Sequence, residues 1–325
     1  MKHFSDKLLE AIEVKGNPIC VGLDPRLNLL PAQIMKDAFH KFGKTGKAAG
    51  YAIETFNKVV IDVICDIVPI VKPQMAFYEA YGDFGIRAFI NTVDYAHSKG
   101  LIVIEDAKRN DIGSTAKAYA SGHLGKVECG PGTFLRGLDV DAITINAYLG
   151  YDGIKPFIEQ AISFNKGVFI LVKTSNPSSS EIQNLILSEP FQGILLYERI
   201  ALLVDEWGRR SLGDFGFSDI GAVVGATFPV EAAKLRKLMP HTLFLVPGYG
   251  AQGAHGKDVV QCFNTQKKGA IISSSRQIIY AFRDKEDKEK ELTKGSSFAD
   301  CIRSEALEMC KDIQSALHAS GKGQN

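Results

Sequence analysis

Much is missing from this chain of 325 residues, and each absence removes a class of function. Basic and acidic residues nearly cancel, 38 against 37, for a net charge of +1, and no block of Lys and Arg stands out. A phosphate backbone or an anionic membrane surface therefore has no electrostatic footprint here, although a small anion needs only a few local cations. Cys20, Cys65, Cys129, Cys262, Cys301 and Cys310 form no C-x-x-C pair and no metal-type spacing with His, so they read as reduced thiols and no metal centre is expected. No apolar run reaches the roughly 18 residues of a transmembrane helix. The N-terminus, MKHFSDKLLEAIEVKG, carries charges throughout and predicts an amphipathic helix over about residues 3–15 where a signal peptide would place an apolar segment. The expected location is the cytoplasm. No G-x-G-x-x-G follows the first apolar run, which disfavours an open dinucleotide-binding sheet.

What is present is an alternation. The apolar runs PICVGLD, VPIVKPQ, LIVIEDAK, DAITINAY, GVFILVKT, GAVVGAT, TLFLVPG and GAIISSSR have strand length, and helical compositions such as AAGYAIETFNKVVIDVICDI and VEAAKLRKLMP lie between them. Strand and helix in alternation imply parallel βαβ units, and eight units predict an α/β fold of the (β/α)8 TIM barrel type. With 45% hydrophobic residues, the chain can bury one large core, so residues 1–325 are read as a single domain. In such a barrel the polar residues at strand C-termini form the active face.

The densest chemistry lies in Leu101–Thr115, LIVIEDAKRNDIGST. An apolar strand buried on both faces ends in Glu105, Asp106, Lys108, Arg109 and Asp111. Residues two apart in a strand share a side, so Asp106 and Lys108 should project together. Asp111 stands where a helix should begin, with Ser114 placed to support its first turn and Thr115 at the i,i+4 position above it. Each has an ordinary reading: a strand-end ion pair, an N-cap, a surface hydroxyl. Together, however, they would crowd carboxylates that are costly to bury unless a cation lies between them.

Other strand ends add to the set. Asp24 follows the first strand and would otherwise cap a turn before Pro25; Lys72 and Gln74 follow the second, where a lone Lys could instead snorkel to the surface. Thr174 and Ser175 open a polar turn after the fifth strand. After the seventh, VPGYGAQGAHG offers four glycines whose backbone can approach an oxyanion, and after the eighth Arg276 follows three serines. Barrels often bind phosphate at these last two loops, and the planar guanidinium of Arg276 is better suited to it than Lys267 or Lys268.

DAKRNDIGST resembles the D-x-K-x-x-D-I-x-x-T motif of the orotidine 5′-monophosphate decarboxylases, and CVGLDPR, LVKTSNPSS, PGYGAQG and SSSR resemble further loops of that family. VKPQMAFYEAYG resembles its longer-chain subgroup. The resemblance implies conversion of orotidine 5′-monophosphate to uridine 5′-monophosphate, the last step of pyrimidine nucleotide synthesis, without metal or cofactor. It implies that Lys108 protonates C6, that Asp106 lies beside the substrate carboxylate, and that Lys72 and Asp111 hold Lys108 charged and aimed. Asp24 would take a ribose hydroxyl, with Gln74 nearby. Ser175, or after it Thr174, would meet the pyrimidine, and Gln252 and Arg276 the phosphate. The family's sites lie at a homodimer interface, so Asp111 and Thr115 would complete the neighbour's site, Thr115 on a ribose hydroxyl, with Ile112 a further substrate contact. The rival readings are a metal-dependent sugar-phosphate decarboxylase, a Schiff-base lyase using Lys72 or Lys108, and a non-catalytic nucleotide-binding barrel.

Other segments carry less. Gly122–Gly137 reads as a surface loop, and Ser178–Asp219 as an insertion with one or two helices and the sole Trp, Trp207. The charge run Arg283–Lys294 reads as a solvated face, Phe298–Ser320 as a closing amphipathic helix, and about 320–325 as a disordered tail.

Overall fold

Each of the eight apolar runs forms a parallel strand, because each is shielded on both faces and can leave no backbone group unpaired. In the computed structural model, which describes residues 2–191, 193–286 and 297–322, the barrel strands are β1 (Ile19–Leu23), β2 (Ile70–Pro73), β3 (Ile102–Arg109), β6 (Ala142–Ile145), β7 (Gly167–Lys173), β8 (Ser218–Val224), β9 (Thr242–Pro247) and β10 (Ala270–Ser274). Between β3 and β6 come two short strands outside the barrel, β4 (Lys126–Gly130) and β5 (Thr133–Arg136). The barrel closes in the order β1-β10-β9-β8-β7-β6-β3-β2. The expected (β/α)8 barrel is thus the observed fold.

Alternate residues of each strand serve different cores. Ile19, Val21 and Leu23 of β1 face the surrounding helices, whereas Cys20 joins Ile70, Ile104, Phe169, Leu245 and Ile271 in the barrel interior. The helix Phe4–Lys15, as expected near residues 3–15, sends Phe4, Leu8 and Leu9 into that interior cluster. Phe4 meets Phe169 edge-on at 6.2 Å and lies against Gly167, the first residue of β7, where a Cβ would stand 2.3 Å from the Phe4 ring. The end of the barrel opposite the strand C-termini is thereby plugged with apolar side chains.

Some expectations are corrected. Gly122–Gly137 is not a loop. The helix Gly113–Leu124 continues into it, and β4 and β5 then pair antiparallel as an exposed ribbon. Asp111 is not the N-cap, and Ser114 makes no cap. Ile112 occupies the cap position without a side-chain cap bond, and Asp111 Oδ1 accepts from the Ile112 N–H at 2.8 Å. Since the helix begins only at Gly113, the proposed helical stack of Asp111 and Thr115 does not form within it. Among its described residues the insertion holds two α-helices, Ser180–Gln183 and Leu196–Gly208, with Trp207 against Tyr151 at 5.7 Å.

The closing helix is Phe298–Ala319. Beyond it Lys322 donates to the carbonyls of Val260 and Phe263, so the tail is tied down as far as this residue. Residues 323–325, and 287–294 of the charge run, lie outside the described residues. Among the described residues no helix is long and apolar enough to cross a membrane.

Candidate active site

The C-terminal ends of the strands open into one cavity of about 670 Å³. Asp24 from the end of β1, Lys72 and Gln74 at β2, Asp106 and Lys108 on β3, Thr174 and Ser175 after β7, Gln252 after β9 and Arg276 after β10 all line it. Residues far apart in sequence therefore converge as the strand order requires.

At its centre Asp106 holds two ammonium groups. Lys72 donates to Oδ2 at 2.9 Å and Lys108 to Oδ1 at 2.6 Å. Thr144 of β6 donates to Oδ1 at 2.9 Å and accepts from the Lys108 backbone N–H at 3.0 Å. Burial works against the Asp106 carboxylate, but the attraction of Lys72 and Lys108 outweighs it and holds the group well below its ordinary range. Burial likewise opposes the Lys72 ammonium, and Asp106 and Asp24 more than offset it, so Lys72 is held charged. These protons belong to one coupled network.

The strand does not stay regular to this point. β3 shifts register against β6 between Glu105 and Arg109, and Lys108 has φ 51°, in the left-handed region that a long side chain seldom adopts. The irregularity lies at the residue whose side chain points into the cavity, and non-glycine backbone of this kind persists only where its surroundings impose it. Lys108 remains partly solvent-exposed while Lys72 and Asp106 are buried.

In the β7 loop, the two candidate hydroxyls separate. Thr174 is fully engaged within the protein: its Oγ accepts from Gln183 Nε2 at 2.7 Å and donates to Asn176 Oδ1 at 2.7 Å, while its N–H donates to Gln183 Oε1 at 3.0 Å. Ser175 lines the cavity, and among the described residues its side chain makes no such bond, which leaves its hydroxyl free for a ligand. The insertion therefore reaches the site through Gln183. In the loop after β9, Gly248 has φ 111°, and a Cβ there would stand 3.1 Å from Gln252 Oε1. Only a glycine gives the loop that turn beside the Gln252 amide.

Asp111, Ile112 and Thr115 do not line this cavity. Ile112 is 54% exposed and Thr115 is exposed. Sequence reading, conversely, overlooked Thr144, Arg26, Phe77 and Gln183. Thr144 had a signal: it is a buried polar residue in the apolar strand Ala142–Ile145. Arg26, over the Phe77 ring at 5.0 Å, had none beyond following Asp24-Pro25. Among the described residues no cluster of His, Cys, Asp and Glu is arranged to hold a metal.

Residues 17–291 match the model of the Orotidine 5′-phosphate decarboxylase / HUMPS family. The chain is 40% identical to the orotidine 5′-phosphate decarboxylase of Caldicellulosiruptor bescii over 87% of its own length and 92% of the relative's. It is 39% identical to that of Rhodopirellula baltica, covering 97% and 100%. The solved structure of Leishmania donovani OMP decarboxylase superposes with a TM-score of 0.72 at 29% identity, over 97% of this chain and 99% of that one. The β3 motif, the charged centre it builds and the likeness over nearly the whole length agree: the chain belongs to the orotidine 5′-phosphate decarboxylase / HUMPS family.

Proposed function

We propose that the cavity binds orotidine 5′-monophosphate and that Lys108 protonates C6 as carbon dioxide leaves. Family membership carries the reaction itself, that of a carboxy-lyase yielding uridine 5′-monophosphate in pyrimidine biosynthesis. The observation that carries the assignment of roles is the Lys72–Asp106–Lys108 array in a cavity that also holds Gln252 and Arg276.

The chemistry calls for such an array. Loss of carbon dioxide from C6 leaves an electron pair in the ring plane, out of reach of the π system, so stabilisation must come from a charge placed beside that carbon. Lys108 supplies it and then the proton. Asp106 pairs with Lys108 and holds Lys72 charged, and beside the substrate carboxylate it favours the state from which that carboxylate has departed. One charge pair at about 4 Å is worth roughly 4 kcal/mol at an effective dielectric near 20. Enzymes commonly lower barriers by about 8–23 kcal/mol, so contacts remote from C6 must contribute through positioning. Arg276 and Gln252 take the phosphate, Asp24 a ribose hydroxyl with Gln74 beside it, and Ser175 the pyrimidine.

The site is completed by a second copy. Asp111, Ile112 and Thr115 do not line their own cavity, and exposed Tyr148 and Leu149 lie nearby, with Asp111 and Leu149 both packed against Gly153. A homodimer that lays this surface over the neighbour's cavity supplies Asp111 to the neighbour's Lys108 and Thr115 to its ribose, and covers the apolar side chains.

Following the ultraviolet absorbance of orotidine 5′-monophosphate with purified protein in excess chelator, beside Lys108→Ala, tests the reading. Rapid loss of the substrate signal is expected with the wild type and none with the variant. Tight uridine monophosphate binding without turnover would favour a non-catalytic nucleotide-binding barrel, and dependence on metal a different chemistry.

A further inference from the structure

Asp24 reaches the cavity on the turn Asp24-Pro25-Arg26, and among the described residues its carboxylate makes no hydrogen bond that would aim it: Oδ1 is buried without a partner there. An unpartnered buried carboxylate oxygen is costly unless a ligand fills its place, and it needs something else to hold it in position. That support comes from 256 residues further along the chain. The hydroxyl of Tyr280 donates to the Asp24 carbonyl at 3.0 Å and accepts from the Arg26 N–H at 2.7 Å, so one oxygen bridges both ends of the turn.

Tyr280 is itself fixed. Its ring is 6% exposed and stacks on Phe56 at 5.9 Å with 9° between the planes, with Phe282 edge-on at 6.3 Å. Its N–H donates to the carbonyl of Arg276 at 3.1 Å. Burial lifts its hydroxyl to about 12, against the pull of the Arg26 N–H, so it remains a donor at working pH. A second contact holds the same two segments together: a Cβ on Gly22 would stand 2.6 Å from the Cβ of Ser275, a separation only glycine allows, and Ser275 Oγ donates to the Gly22 carbonyl at 3.4 Å. Tyr280 does not line the cavity.

We propose that Tyr280 is a positioning residue for ribose recognition, its hydroxyl fixing the turn that aims the Asp24 carboxylate at a ribose hydroxyl of the substrate. The inference rests on the reading of Asp24 as a ribose contact. A role of this kind differs from plain packing in what it discriminates. Loss of the hydroxyl blurs the preference for the intact ribose, whereas loss of packing lowers activity on every substrate alike.

The experiment measures kcat/KM for orotidine 5′-monophosphate and for its analogues lacking the 2′ or the 3′ hydroxyl, with wild type, Tyr280→Phe, Asp24→Asn and the double variant. For the analogue whose discrimination Asp24→Asn abolishes, Tyr280→Phe is expected to lower the ratio about fivefold, the worth of one hydrogen bond. In the Asp24→Asn background it should change the ratio no further. A 3-fluorotyrosine at position 280, which keeps both ring and hydroxyl, is expected to preserve the wild-type ratio. An equal fall on ribose and deoxyribose substrates, no fall, or a low ratio with the fluorotyrosine would overturn the proposal. If Asp24→Asn leaves both ratios intact, the reading of Asp24 fails and this inference with it, while turnover of the intact substrate leaves the decarboxylase reading standing.

Discussion

The two halves of DAKRNDIGST, adjacent in sequence, face different ways. Asp106 and Lys108 leave β3 into the chain's own cavity, where Asp106 binds two ammonium groups and a hydroxyl. Asp111 and Ile112 immediately precede the next helix and Thr115 lies in its first turn, three to seven residues beyond Lys108; Ile112 and Thr115 are exposed, and none of the three lines that cavity. The bulge at Lys108 lies at the division. A motif is therefore a unit of sequence without being a unit of space: its inner half is set in a buried network of charges, and its outer half lies outside the cavity that network lines.

The largest expected effect tests the inner half. Lys108→Ala should lower kcat on the order of 10⁴-fold or more, from loss of both the acid and the charge, while calorimetry shows uridine monophosphate still binding. Next comes Asp106→Asn, which leaves Lys72 buried beside a neutral amide. Breaking a buried pair on one side costs roughly 3–5 kcal/mol of stability, measured by denaturant titration. The sign with pH is fixed by the direction of the shift. Asp106 is depressed below 3.8 in the folded chain, so its contribution is full above that value and fades as pH falls through the folded one. The wild type's advantage over Asp106→Asn should therefore hold near neutrality and shrink in acid below about pH 4.

The outer half gives smaller effects. Lys108→Ala and Asp111→Ala proteins, each inactive alone, should recover activity on mixing, up to about a quarter of wild type if half the dimers are mixed and one of their two sites is intact. Heterodimers that form without any recovery would place Asp111 in its own chain's site. Smallest is Thr115→Ala, expected to shift stability by less than about 0.5 kcal/mol because the residue is exposed, yet to raise KM about fivefold through one lost hydrogen bond. An unchanged KM would remove Thr115 from the substrate.

The barrel was legible because burial on both faces forces a strand to be apolar throughout, and the eight such runs are the eight barrel strands. The ribbon β4–β5 was not, since its residues are nearly all exposed and Lys126–Gly130 carries no buried alternation to mark it. In the site, residues at strand ends could be read because a charge following an apolar run needs a reason. Thr144 escaped because a hydroxyl inside Ala-Ile-Thr-Ile looks like ordinary strand composition until Asp106 is seen opposite it. Gln183 and Tyr280 escaped for another reason: neither motif nor period marks a residue whose work is to hold a neighbour distant in the chain. The choice between Thr174 and Ser175 likewise turns on who bonds to whom.

The left-handed backbone at Lys108 bears on how this position could vary in a population of sequences. Glycine, and to a lesser degree asparagine, adopts that geometry readily, whereas a β-branched residue resists it. A library randomised at 108 and sorted only for folded protein should fill with glycine and asparagine and lose valine and isoleucine. The same library sorted for growth without pyrimidines should return lysine. Such a divergence between the two sorted pools would set selection for folding against selection for function at a single position.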